Sequence, residues 1–219
     1  MNSNWQNIKT NHTPSTSSIN LNFLKKIKKN SKVLEIGSGR GRIIDILNKK
    51  KCFIVGVDIN NNELNNLKHK YSDNNKIKFL NFNIINGDFK KLNFESLDFV
   101  FMNGLLGALN KFERVKAINN ICKIVNKNTL IHISEFLLFE RSLEMKNRYN
   151  KDFLETNEYG SFFILDNNGN KIGITHNFSR KELINLLEKR FRIIKEFKQD
   201  FISYTNKIKP GIILIIKLK

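Results

Sequence analysis

The stretch Val33-Leu34-Glu35-Ile36-Gly37-Ser38-Gly39-Arg40-Gly41-Arg42, followed by Ile54-Val55-Gly56-Val57-Asp58, carries the strongest structural signal in the chain. It predicts a strand, a glycine-rich turn, a helix and a second strand that ends in a carboxylate. Three glycines at alternate positions let the backbone approach a ligand more closely than a Cβ would allow. Asp58 lies where a carboxylate can accept two ribose hydroxyls. The stretch predicts half of a doubly wound nucleotide-binding fold.

Two residues of this stretch bear on which nucleotide would bind. The nicotinamide fingerprint G-x-G-x-x-G needs a third glycine at position 42, where this chain has Arg42. Glu35 would repel a pyrophosphate, whereas it would help to hold an ammonium and a sulfonium group. The lettering Glu-x-Gly-x-Gly-x-Gly from Glu35 to Gly41 resembles motif I of the class I S-adenosylmethionine (SAM) methyltransferases. The resemblance implies SAM, rather than a dinucleotide, as the cofactor.

The resemblance covers about residues 19–136 and 179–219 and implies roles for further residues. Gly87-Asp88-Phe89, followed by Leu97-Asp98-Phe99-Val100, matches the family pattern after strand three. Asp88 would accept a hydrogen bond from the adenine amino group, and Phe89 would supply a backbone N–H and an apolar wall. Asn103 would line the methionine end of the cofactor. The implied cofactor-binding residues are Glu35, Gly37, Ser38, Gly39, Gly41, Asp58, Ile59, Asp88, Phe89 and Asn103.

Simpler structural roles compete with several of these assignments. Asp58 could cap the helix that follows it. Asp88 could be an ordinary turn aspartate, and Glu35 could bond only to the glycine loop. The chain also departs from the family at Asn126-Lys127-Asn128, where a Pro-Gly turn is frequent. These alternatives stay open at the level of sequence.

Strands alternate with helices up to about residue 136, which predicts a doubly wound, mostly parallel α/β sheet of seven strands. The last two strands, Phe191–Tyr204 and Gly211–Leu218, are predicted to form an antiparallel pair joined near Pro210. Between strand five and the last helix, residues 137–178 break the alternation and are expected to form an acceptor-binding insert. We expect one domain over residues 1–219, with residues 1–30 as a lid and helix.

Composition excludes some classes of protein and leaves others open. The net charge of +18 invites a nucleic-acid interpretation, but the lysines are spread along the chain, so nucleic acid is possible and not favoured. No apolar run approaches the ~20 residues of a membrane span, and residues 1–20 lack a signal-peptide core. We therefore expect a cytoplasmic protein with no membrane partner. Cys52 and Cys122 are expected to be small buried side chains.

The sequence says less about the acceptor than about the cofactor. It lacks the Asn/Asp-Pro-Pro-aromatic tetrapeptide used on planar amino groups, and neither cysteine ends strand four or five. Clustered carboxylates for a metal are absent there, so no metal is predicted. Glu135, at the carboxyl edge of strand five, and His176, after a predicted hairpin, are the candidate acid–base residues. The candidate lining residues of the insert are Tyr149, Tyr159, Phe162 and Phe163.

These observations favour a SAM-dependent methyltransferase that acts on an O, N or C atom of a small molecule by in-line displacement. Two alternatives stay open. One is an RNA- or protein-directed methyltransferase that uses the basic surface, and the other is a SAM-binding module without catalysis. The pattern does not predict an oligomeric state.

Overall fold

A computed structural model describes residues 5–7, 19–92, 96–166, 168–203 and 207–219. The strands are β1 (Lys32–Ile36), β2 (Phe53–Asp58), β3 (Ile77–Asn81), β4 (Phe99–Asn103), β5 (Leu130–Phe136), β6 (Ser161–Leu165), β7 (Lys171–His176), β8 (Phe191–Ile202) and β9 (Ile208–Leu218). The α-helices are α1 (Leu21–Lys26), α2 (Arg42–Asn48), α3 (Asn61–Lys70), α4 (Lys111–Ile121), α5 (Leu143–Thr156) and α6 (Arg180–Glu188). None of these helices has the length and apolarity that a membrane crossing requires.

Seven strands form one sheet in the order β3-β2-β1-β4-β5-β9-β8. The first five run parallel, β9 pairs antiparallel with β5, and β8 pairs antiparallel with β9. The order reverses between β1 and β4, so a crevice opens at the carboxyl ends of these two strands. The predicted fold class, a doubly wound and mostly parallel sheet with an antiparallel carboxyl-terminal pair, is confirmed.

The sheet separates two hydrophobic layers. One layer joins the sheet to α1, α2 and α3 through side chains such as Phe23, Ile44 and Leu64. The other joins it to α4 and α6 through side chains such as Ile118 and Leu187. Alternate residues of each central strand therefore face opposite layers, as expected for a sheet covered on both sides.

Hydrophobic spacing predicts that helix α4 buries a face made of Phe112, Val115, Ile118, Ile121, Cys122 and Val125, and this prediction was wrong in part. Phe112 and Val115, expected in the buried stripe, are 80% and 46% exposed, whereas Arg114 is 2% exposed. Arg114 turns inward because its Nε donates to the Leu106 carbonyl oxygen at 3.0 Å and its guanidinium pairs with Glu158. Because of this buried ion pair, α4 turns a different face toward the core from the one that hydrophobic spacing alone predicts.

The chain reversal before β9 also differs from the prediction. Pro210 lies inside β9, opposite Asp200 of β8, and not at the joint between the strands. The Pro210 carbonyl accepts the Leu137 N–H at 2.9 Å, and proline is tolerated because the β5–β9 register ends at Gly211, so its missing N–H falls beyond the paired ladder. The spacing of Leu21, Leu24 and Ile27 predicts a helix over Ile19–Lys29, but α1 is shorter because Ile27 has extended backbone angles.

Residues 137–178, called the cap from here on, contain α5 and the antiparallel hairpin β6–β7. A small hydrophobic cluster of Met145, Tyr149 and Phe162 holds the helix against the hairpin. Both ends of the cap meet beyond β5, where the Leu138 N–H donates to the Phe178 carbonyl and the Phe178 N–H donates to Phe136. The cap therefore stands at the carboxyl edge of the sheet.

Candidate functional site

The loop from β1 to α2 is held by backbone hydrogen bonds to the neighbouring strand. The N–H groups of Gly37 and Ser38 donate to the Val57 carbonyl at 2.8 and 3.0 Å. Gly37, Gly39 and Gly41 have φ angles of 78°, 46° and 77°, a region that residues with a Cβ rarely adopt. The sequence therefore needs glycine at all three positions to make this turn.

The three glycines differ in what surrounds them. A Cβ on Gly41 would lie 2.5 Å from Leu67 Cδ2, so this glycine allows close packing of the loop against α3. A Cβ on Gly39 would meet no atom within 4 Å, and the same holds at Gly104, after β4. These two backbone positions border open space at the crevice and form a cradle that side chains would fill.

Asp58, the last residue of β2, is oriented by two backbone donors. Its Oδ2 accepts the Gly39 N–H at 2.8 Å, and its Oδ1 accepts the Asn60 N–H at 2.9 Å. Burial raises the pKa of Asp58 above its ordinary value, although these donors act against that shift. Each carboxylate oxygen keeps a further lone pair for a hydroxyl donor. The helix-capping alternative is not needed, because Asn60 itself caps α3.

Asp88 and Phe89 lie at the start of a 3-10 helix, Phe89–Leu92. Asp88 is exposed, and its Oδ1 accepts the Lys90 N–H at 3.1 Å. The Phe89 ring packs edge-on against Phe82, with centroids 4.9 Å apart. Near the end of β2, the Asn81 amide donates to the Ile59 carbonyl at 3.0 Å. The exposed carboxylate and the aromatic pair are compatible with the adenine-binding role, and Asp88 also stabilises its own turn.

Several buried polar atoms near the crevice have no hydrogen-bond partner among the described residues. They are Glu35 Oε2 on β1, Ser38 Oγ in the glycine loop, Asn103 Nδ2 on β4 and Ser134 Oγ on β5. Burial raises the pKa of Glu35 well above its ordinary value, and the nearby Arg42 opposes this. Because a buried unpaired polar atom is costly, such a group is commonly completed by a ligand.

These features fit SAM. Its ribose has two hydroxyls that can donate hydrogen bonds to Asp58. Its methionine end has an ammonium group that can donate to Glu35 Oε2 and a carboxylate that can accept from Asn103 Nδ2. The open space at Gly39 and Gly104 leaves the backbone accessible along the same crevice. The predicted cofactor-binding residues thus come together at the carboxyl edge of the sheet.

Glu135 holds the turn after β4 and does not face open space. Its Oε1 accepts the Leu106 N–H at 2.7 Å, and its Oε2 accepts the Gly107 N–H at 3.2 Å. Burial raises the pKa of Glu135 to about 8, against the opposing effect of these two donors and of Arg114. The indole N–H of Trp5 donates to Ala108 of the same turn at 2.9 Å. The sequence also predicts that Trp5 and His12 close over the cofactor from the amino end of the chain, and His12 lies outside the described residues.

His176, the last residue of β7, is 1% exposed and belongs to an ionic network at the base of the cap. Its Nδ1 lies 2.9 Å from Ser161 Oγ, and its Nε2 lies 3.0 Å from Glu182 of α6. Glu158 bonds to both Arg114 and Ser161. Burial opposes ionisation of Glu158, but His176 and Arg114 lower its pKa overall. The network ties the cap to α4 and α6.

Within the described residues, Glu158, His176 and Glu182 place ligand atoms within 4.8 Å of one another, as a metal site would. Arg114 lies 2.6 Å from Glu158 Oε1 and 3.7 Å from Glu182 Oε1, so a cation already balances these carboxylates. The absence of a metal stays a prediction.

Sequence reasoning missed three residues of this region. Arg114 and Glu158 carried no local signal, because an arginine in an amphipathic helix normally points to solvent. His132, in β5, is fully buried and bonds to Asn103. Its position one residue from Ile131 and Ile133, inside an apolar strand, was a signal that could have identified it.

Comparison with known proteins supports the family assignment. A model of the methyltransferase domain matches residues 27–191. No curated protein matches the chain. A SAM-dependent methyltransferase from Methanosarcina mazei has a TM-score of 0.84 and 24% identity, over 92% of this chain and 99% of that chain.

Two more distant structures share the fold. A putative zinc-dependent alcohol dehydrogenase from Rhodobacter sphaeroides has a TM-score of 0.69 and 13% identity, over 90% of this chain and 87% of that one. The 1,6-didemethyltoxoflavin-N1-methyltransferase from Burkholderia thailandensis, solved with S-adenosylhomocysteine, has a TM-score of 0.61 and 14% identity, over 87% and 72%. Fold likeness alone does not identify a reaction. Together with the family model, the crevice and its donors show that this chain belongs to the class I SAM-dependent methyltransferases, with SAM as its cofactor.

Proposed function

We propose that this protein transfers the methyl group of SAM to a small-molecule acceptor held between the carboxyl edge of the sheet and the cap. The observation that carries the proposal is the docking of the cap on the turn after β4. A Cβ on Gly107 of that turn would lie 2.8 Å from the His176 carbonyl oxygen of the cap. Because the cap lies this close to the strand ends, the space beneath it suits a small acceptor better than a long polymer.

The cofactor would lie along the crevice between β1 and β4. Asp58 would accept the ribose hydroxyls, and Asp88 would accept the adenine amino group beside the Phe89 ring. At the methionine end, the cofactor would supply hydrogen-bond partners for the unpaired Glu35 Oε2 and Asn103 Nδ2. Gly37, Ser38, Gly39, Gly41 and Ile59 would contribute mainly backbone surface. The open space at Gly39 and the two donors on Asp58 support this arrangement.

When bound, SAM supplies a methyl group that its sulfonium has already activated for in-line displacement. The protein's main contribution is then to align the acceptor with that methyl group and to exclude water. A general base is needed only for an acceptor that is protonated at the working pH.

The contacts of Glu135 and His176 favour a positioning role for both residues over acid–base catalysis. Both carboxylate oxygens of Glu135 and both ring nitrogens of His176 are engaged within the protein. Glu135 would then hold the turn that faces the acceptor, and His176 would hold the cap above it. In the Burkholderia relative the acceptor is a small molecule, which supports the same class of acceptor here.

The test is transfer of label from methyl-labelled SAM to cell extract separated into molecules below about 1 kDa, protein and RNA. We expect label in the small-molecule fraction, and none with Asp58→Ala. Label confined to RNA or protein would overturn the small-molecule acceptor and would give the net charge of +18 a function. Tight SAM binding with no transfer to any fraction would favour a binding module without catalysis.

A further inference from the structure

His132 lies in the middle of β5, on the sheet face that α1 covers. It is fully buried, and the rings of Phe23 and Phe101 lie 5.2 and 5.3 Å from its ring centre. Burial lowers the pKa of His132 to about 3. The imidazole is therefore neutral near physiological pH and carries one N–H.

The neighbours of His132 determine which nitrogen carries that proton. The backbone N–H of Asn20 points at Nε2 from 3.2 Å, so Nε2 must be the acceptor and carries no hydrogen. The proton is then on Nδ1, which lies 3.0 Å from Asn103 Oδ1 and donates to it. A flipped Asn103 amide would set two donors against each other. The chain of bonds is consistent in one direction only.

Because Asn103 Oδ1 accepts the His132 proton, the amide nitrogen Nδ2 is the donor that remains at the end of this chain of hydrogen bonds. Nδ2 is buried and has no hydrogen-bond partner in the described part of the chain. Ser134 is the register partner of Asn103 on β5, and its buried Oγ is likewise unpaired among those residues. Glu35 lies on the same sheet face, because it is two residues after Val33 in β1 and Val33 belongs to the layer that contains Phe101. The unpaired atoms therefore lie on one face of the sheet, near the carboxyl ends of β1, β4 and β5.

We propose that His132 and the Asn20 backbone are positioning groups that aim the Asn103 amide at the α-carboxylate of SAM. This inference rests on the cofactor site proposed above. An amide nitrogen only donates hydrogen bonds, and the carboxylate is the strong acceptor at the methionine end. Because Asn20 is the N-cap of α1, the same bonds tie the start of α1 to the cofactor.

The test compares two ligands by calorimetric titration: S-adenosylhomocysteine, and its decarboxylated analogue S-adenosyl-3-thiopropylamine, which keeps the ammonium but lacks the carboxylate. His132→Phe keeps a planar aromatic ring, slightly larger than the imidazole, and removes both hydrogen bonds. We expect this variant to bind S-adenosylhomocysteine about tenfold more weakly or worse, because an oriented bond to a charged group is lost. Affinity for the analogue should stay within about twofold.

Phe99→Leu is the matched control, since Phe99 packs on Phe23 at 5.6 Å in the same layer and its apolar ring cannot hydrogen-bond to the Asn103 amide. It should lower stability without changing the ratio of the two affinities. Asn103→Ala should lower the same ratio, and His132→Phe added to it should cause little further loss. Equal losses for both ligands in His132→Phe, or no loss, would overturn the inference.

A measurement on the unaltered protein covers the case in which His132→Phe does not fold. The nitrogen spectrum of labelled histidines should show one ring with its proton on Nδ1, unchanged between about pH 5 and 8. The Asn103 side-chain amide signal should move with S-adenosylhomocysteine and not with the decarboxylated analogue. A proton on Nε2 of His132 would overturn the inference. Failure of the unaltered protein to bind S-adenosylhomocysteine would instead overturn the cofactor site itself.

Discussion

The glycine loop and the cap stand on the same edge of the sheet, but different forces hold them. The loop is fixed by backbone hydrogen bonds to Val57 and by the packing of Gly41 on Leu67. The cap has a hydrophobic cluster of three buried residues, and it joins the domain through backbone bonds at its two ends and through the network of Arg114, Glu158 and His176. The cofactor side thus depends on backbone geometry, whereas the acceptor side depends in addition on a few charged side chains.

This difference teaches where single substitutions will have their effect. In the loop, a change acts through φ angles and ligand contact, so function can be lost while the fold survives. In the network, removal of one partner leaves a buried charge without compensation, so stability is lost first.

Arg114→Met should give the largest loss of stability. The variant removes the guanidinium that pairs with Glu158 and donates to the Leu106 carbonyl, and we expect the free energy of unfolding in urea to fall by about 3 kcal/mol. Arg180→Met, which breaks the exposed pair with Glu196, is the control and should cost much less. Glu158→Gln added to Arg114→Met should recover part of the loss. Equal effects of the two arginine variants would show that the network does not hold the cap.

Asp58→Ala should abolish most cofactor binding while the fold is kept. Two bonds from ribose hydroxyls to a charged group are lost, which we expect to weaken S-adenosylhomocysteine binding about 100-fold in calorimetry. Asp98→Ala is the control, because Asp98 accepts the Lys32 N–H at the opposite edge of the sheet. Undiminished binding by Asp58→Ala would remove Asp58 from the site.

Two alanine substitutions in the glycine loop should differ in which property they impair more, stability or cofactor binding. Gly41→Ala places a Cβ 2.5 Å from Leu67 and should lower stability by about 2 kcal/mol. Gly39→Ala meets no neighbour and should cost only about 1 kcal/mol of backbone strain, yet weaken S-adenosylhomocysteine binding more than Gly41→Ala does. Unfolding curves and titrations on both variants measure this. Binding losses that simply follow the stability losses would contradict the cradle at Gly39.

The pH dependence of stability should report on Glu135. Its folded-state pKa of about 8 lies above its ordinary value of 4.5, so the folded protein keeps a proton that the unfolded chain has lost. The stability from this group is present below pH 4.5 and disappears as the pH rises to about 8. Glu135→Gln should reduce the slope of this decline by up to about 1.4 kcal/mol per pH unit between pH 4.5 and about 8, and Glu35 should account for a remainder of the same sign. An unchanged slope would contradict the assignment.

The best sequence predictions concern residues whose neighbours in the chain determine their environment. The sequence predicts strands over Lys32–Ile36 and Phe53–Asp58, and these are the bounds of β1 and β2, because a continuous apolar run beside glycines has few other interpretations. The spacing of Ser179 and Glu182 predicts a capping box at the start of α6, and this prediction is also confirmed. The prediction for the buried face of α4 was wrong because Arg114 forms an ion pair with Glu158, which is distant in the sequence.

By itself, the sequence determined the sheet, the glycine turn and the carboxylate of Asp58 at the strand end, since each follows from local spacing and backbone sterics. Only the tertiary structure decided the roles of His132, Arg114 and Glu135. Their partners are Asn20, Glu158 and the turn at Leu106, which are distant in sequence and meet only when the strands align. Burial then sets the protonation of these groups, and burial is a property of the folded chain.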